Sequence, residues 1–229
     1  ILILASIFLM LIFIPNWSQN EIINSTKNLD QSGSLSDVWK SKFFISVIPM
    51  GLFNYGGLMA IQTLWAGPWM IRVAGYTPIE SATGLFWINI TMLISFLIWG
   101  YVLPKISEYG ISSIKLIKLG LPISYFSLFL IIYFGNNAGA FLFTLYIMTS
   151  IVISLTQPAI ALNFSKNLAG KSLTSYNVFL FSGTFFMQWG IGLVIDLCNN
   201  NGFDIVSSYR ISFSVFLILA LFLAYPVYA

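Results

Sequence analysis

A few polar side chains stand out inside long apolar runs: Asn54, Tyr55, Gln62, Asn89, Gln157 and Gln188. Amides and phenols suit binding by hydrogen bonds rather than bond-breaking chemistry. The groups that carry most catalysis are scarce. There is no histidine, and Cys198 is the single cysteine. A disulfide framework, a Cys/His zinc site and any mechanism with a histidine base or ligand are therefore excluded. That removes intramembrane Ser-His proteases, His-dependent acyltransferases and His-ligated redox carriers. No two acids share an apolar run, so a carboxylate pair is lacking too. The sequence predicts no enzyme, no cofactor and no metal site.

The elements that hold these side chains must be membrane helices. Of 229 residues, 58% are apolar and 7% charged, with net charge +3 and mean hydropathy +0.89. Soluble domains are roughly one-quarter charged. Seven apolar segments are legible: Ile1–Pro15, Phe43–Gly67 or slightly beyond, Ile79–Leu103, Ile114–Phe134, Ala138–Phe164, Asn177–Leu197 and Ile211–Ala229. A crossing helix needs about 20 apolar residues, so the first is short and the others suffice. The runs are too long for barrel strands, which are about 10 residues and alternate in polarity. The chain opens with Ile1 inside an apolar run, without an initiator Met or a basic leader, and reads as the continuation of something longer.

Charge sets the expected orientation. Lys27, Lys40 and Lys42 mark the first connector; Lys105, Lys115 and Lys118 the third; Lys166 and Lys171 the fifth. The second, fourth and sixth connectors hold only Arg72 and Arg210, so alternate connectors divide the basic residues eight to two. The positive-inside rule places the first, third and fifth in the cytoplasm, residue 1 outside and the carboxyl terminus inside. Trp17, Trp39 and Trp99 then lie near inner ends, and Trp65 and Trp69 near an outer end, as an aromatic belt would have them. Asn16 and Asn24 begin glycosylation sequons, and this orientation predicts that they carry no sugar. No basic tract suggests nucleic acid.

The parse is one partial span (1–15), a polar linker (16–42) and six spans (43–229). Three stretches shape the expectation beyond the count. The first is "GYVLPKISEYG", Gly100–Gly110, with Gly100, Lys105 and Gly110. The second is "NLAGKSLTSYN", Asn167–Asn177, with Gly170 and Lys171. The third is "QPAIAL" with "QWGIGLVID", read together with "IQTLWAGPWM". In order and topology these resemble the carboxyl-terminal half of bacterial major facilitator superfamily transporters, from the end of helix six through helix twelve. The resemblance covers nearly the whole chain. Pro104 stands where that family carries an acid, and the closing glycine is displaced.

The resemblance implies an all-α, six-helix half-transporter that needs a missing amino-terminal half. It would sit in a bacterial plasma membrane and move a small solute by alternating access. It implies a cavity lined by helices seven, eight, ten and eleven, with Tyr55, Gln62, Gln157 and Gln188, and also Asn54 and Asn89, along the path. On helix seven, Gly51, Tyr55, Leu58 and Gln62 follow i, i+4, i+7, i+11 spacing, one face. Interhelix hydrogen bonding is the competing role for each amide, contributing about 0.6–2 kcal/mol. Gly67 and Pro68 are expected to end or kink helix seven, with Trp65 beside them, as an outer gate. Gly100 is expected to let a helix end approach its neighbour. Gly183, Gly190 and Gly192 suggest close packing along helix eleven. Asp196 and Glu80 sit at helix ends, so a carboxylate that couples transport to protons is expected in the other half. A seven-span receptor or scaffold without transport activity is the alternative.

Overall fold

Glycine, proline and capping residues decide where these helices stop, and they do so later than polarity alone suggests. The computed structural model describes residues 34–228, and every regular element in that range is helical. The short α1 spans Leu35–Lys40. Six long helices follow: α2 Lys42–Arg72, α3 Pro78–Glu108, α4 Ser113–Asn137, α5 Ala140–Asn163, α6 Lys166–Asn200 and α7 Ile205–Tyr228. Each is long and apolar enough to cross a membrane. Over the described residues the chain is thus all-helical, and it is a multi-pass membrane protein. The expected partial span, 1–15, and most of the linker lie outside the described residues.

The connectors are shorter than the sequence suggested. Segment 166–176 is helical from Lys166 on, because Lys, Asn and Thr make a helix polar without ending it. Segment 104–108 continues α3 through Pro104. Gly67 and Pro68 do not end α2, which runs on to Arg72. The stop comes at Gly75, whose φ of 74° only glycine adopts readily. Thr77 then opens α3: its hydroxyl accepts from the Glu80 N–H, and the Glu80 carboxylate accepts from the Thr77 N–H. Pro78 occupies the first turn, where its missing N–H costs nothing.

Helix α2 changes pitch twice along its length. Two wide turns with i→i+5 bonding, Gly51–Tyr55 and Ile61–Trp65, follow Pro49 and precede Pro68. Helix α5 does the reverse, tightening to a 3-10 turn over Ile151–Leu155. Such interruptions mark places where the regular ladder is locally replaced.

Residues 35–228 pack as one unit. Helix α2 packs on α6, and α5 on α3. Helix α2 also packs on α7, and α5 on α4, while α4 and α7 pack on each other. The first triplet (α2–α4) and the second (α5–α7) therefore exchange partners in a matched pattern. The departure is that α6 lies along α7 more closely than α3 along α4. Within lipid, close packing rather than water exclusion holds helices together. Gly183 of α6 sits directly against the Leu52 backbone of α2, and a Cβ there would collide with it. Gly100 and Gly190 have nothing within 4 Å of a Cβ, so neither mediates the close approach expected of it.

Candidate solute-binding strip

Two adjacent residues of α2 reach opposite neighbours. Gln62 Nε2 donates to Asn89 Oδ1 of α3 at 2.6 Å. Thr63 Oγ1 accepts from Gln188 Nε2 of α6 at 2.9 Å. Successive helix residues diverge by about 100°, so one turn of α2 can bridge to both sides. The wide turn Ile61–Trp65 contains both. Each partner is fixed in turn: Asn89 Nδ2 donates to Leu85 O at 2.7 Å and Thr63 Oγ1 to Met59 O at 2.6 Å. Trp65 Nε1 donates to the Gln188 carbonyl at 3.0 Å.

The strip Asn89–Gln62–Thr63–Gln188 crosses three helices. Gln62 is buried, Gln188 half-buried, Asn89 and Thr63 exposed. Each amide nitrogen carries two N–H donors and each amide oxygen two lone pairs. Asn89 and Gln188 so keep capacity for a further polar partner at the exposed edge. No ionisable side chain belongs to the strip, so a polar ligand there would meet only neutral hydrogen-bonding groups.

No protein-family model matches this chain, and neither the curated proteins nor the solved structures give a match.

The other sequence-selected residues lie elsewhere. Asn54 is buried and accepts at 2.7 Å from the Tyr125 hydroxyl of α4, inside the bundle. Tyr55 is half-buried. Gln157 is half-buried in α5, two residues past the 3-10 turn, and joins none of the strip's hydrogen bonds. The helix-seven face read from spacing does not form a wet surface. Leu58 is fully buried and Gly51 is covered by the Tyr176 hydroxyl. The wide turn at Gly51–Tyr55 shifts the register that the spacing assumed.

Gly67 is buried, its carbonyl accepting from Ser81 Oγ of α3 at 3.2 Å. Pro68 is half-buried within α2. Trp65 packs edge-on against Tyr209 at 6.1 Å. Trp69 is not a belt residue: it is fully buried, with Nε1 donating to Ala138 O at 3.2 Å. Lys105 lies on α3, not in a loop, and folds over the Tyr101 ring at 3.9 Å from its centroid. Gly110 lies between α3 and α4 with φ 76°. Gly170 and Lys171 belong to the early turns of α6, not to a connector. Glu80 and Asp196 are exposed.

Sequence reasoning overlooked Thr63. A threonine in a span usually bonds its own backbone one turn back, as this one also does. Its pairing with a residue 125 positions away leaves no local signal.

Proposed function

We propose that this chain is the carboxyl-terminal six-helix part of a secondary transporter of the major facilitator type, which moves a small solute by alternating access. The observation that carries the reading is the partner exchange between triplets: α2 with α6, α5 with α3. Three crossings per triplet turn the second triplet upside down relative to the first. That is the inverted-topology repeat on which such transporters are built. The strip Asn89–Gln62–Thr63–Gln188 supplies neutral hydrogen bonds for the solute. A second six-helix half would cover its exposed edge. The eight-to-two split of basic residues supports an orientation with the α3–α4 and α5–α6 connectors cytoplasmic.

The test is solute uptake into liposomes by the complete transporter, with Asn89→Ala and Gln188→Ala. Each variant should raise the KM for uptake about tenfold, the loss of roughly one hydrogen bond near 1.4 kcal/mol. Unchanged KM and kcat in both folded variants would remove the strip from the solute path.

A further inference from the structure

A small cavity lies among α2, α4, α5 and α7, away from the strip. Its polar lining is Asn54, Ser124, Tyr125, Tyr146 and Ser150, with Phe216 as an apolar wall. It leaves about 10 Å³ of space for a water-sized sphere, about the least that admits one water. Asn54 and Ser150 are 6% and 5% exposed. Among the described residues, Asn54 Nδ2 is buried without a hydrogen-bond partner, and Ser150 Oγ, beside the Tyr146 hydroxyl, completes no well-formed bond. Such groups are rarely left so, since each has given up its water.

We infer that this cavity is a binding site for a single water molecule, which accepts from Asn54 Nδ2 and bonds Ser150 Oγ. A cation fits less well. The inward-facing amide group is an N–H donor, and no carboxylate lines the cavity. The assignment survives reversal of the amide. Tyr125 would then donate to Ala220 O, which lies 3.3 Å away, and accept from Asn54. The inward Asn54 Oδ1 would take a hydrogen from the water instead. Water serves both orientations because it both donates and accepts.

The position gives this water a role. Asn54 belongs to the wide turn of α2, and Ser150 directly precedes the 3-10 turn of α5. These two irregular turns pack on each other. The water joins them across the interface between the two triplets, where neither helix keeps a regular ladder.

X-ray radiolysis of water, with hydroxyl-radical labelling of the whole chain in lipid nanodiscs read by mass spectrometry, tests this. Tyr146 and Phe216 line the cavity and are 3% and 4% exposed, whereas Phe143 and Phe213 are fully buried around Trp69 and serve as dry references. Tyr146 and Phe216 should label severalfold faster than the references. Asn54→Leu, which removes the orphan donor, should bring them down to the reference rate. Ser150→Ala should lower them too and is decisive if the first variant fails to fold. Wild-type labelling at the reference rate would mean a dry cavity and overturn the inference. So would labelling unchanged in the folded variants. Suppression of labelling by sodium or potassium chloride, but not choline chloride, would replace the water with a cation.

Discussion

Gln62 and Asn89 tie α2 to α3 through an amide–amide hydrogen bond of 2.6 Å, while the next residue, Thr63, ties α2 to α6. Helix α2 is thereby held from both flanks within one wide turn. A solute that competes for Asn89 or Gln188 would meet side chains already oriented by these bonds. In the proposed function, binding and helix packing would draw on the same groups. Gluing helices together and contacting solute, treated as rivals for these amides, are compatible at this strip.

A double-mutant cycle measures the first role. Gln62→Leu and Asn89→Leu should each destabilise the bundle by about 1 kcal/mol, with a coupling of about 0.6–1.7 kcal/mol between them. Reversible unfolding in bicelles reports both. Zero coupling would mean that the bond contributes nothing to stability.

The six crossings were legible because apolar length is a sum over many residues and tolerates local exceptions. Helix ends were less so. Hydropathy registers polarity, and the early turns of α6 are polar yet helical. The signals that set two ends were present but outweighed: Gly75 closes α2, and "TPIE" at Thr77–Glu80 is a capping box with proline in its first turn. Gln62 and Gln188 were singled out as polar residues in apolar runs. So was Asn89, whereas Thr63 was not, because residue 63 meets residue 188 only through the fold. Trp69 misled, since position near a helix end suggests a belt, and only packing shows burial.

Trp69 should behave as a core residue. It stacks near Phe213 at 4.7 Å, meets Phe143 and Tyr209 edge-on, and donates to Ala138 O. Trp69→Ala should cost about 3–5 kcal/mol. Trp87, which is 58% exposed within the chain, should tolerate alanine with a loss under about 1 kcal/mol. Thermal unfolding in detergent compares the two, and equal losses would contradict the burial.

Asp204 gives the α7 end a pH dependence. Its carboxylate accepts from the Ser207 N–H at 3.1 Å. Hydrogen bonds from Ser207 hold its pKa below the ordinary carboxylate value. A carboxyl with a depressed folded pKa stabilises fully above its unfolded pKa of about 4, and loses that contribution as pH falls through the folded value. Asp204→Ala should therefore lower the unfolding temperature at neutral pH. The gap from wild type should narrow as pH drops below about 4. A gap that stays constant down to the acid limit would show that the charge contributes nothing.

The α2–α6 crossing supplies the sharpest contrast among the glycines. A Cβ on Gly183 would strike the Leu52 carbonyl, which is backbone and cannot rotate away. Helix α6 must then withdraw from α2, and that shift disturbs both bonds of the strip's α6 side, Gln188 to Thr63 and Trp65 to Gln188. Overpacking of this kind costs about 1–3 kcal/mol. Gly190, seven residues along the same helix, has open space around its own Cβ position. Alanine there should stabilise by about 0.5–1 kcal/mol, because glycine is the poorer helix former. Gly183→Ala and Gly190→Ala should consequently shift the unfolding temperature in opposite directions. A tolerated Gly183→Ala would mean that α2 and α6 do not cross at Leu52 and Gly183.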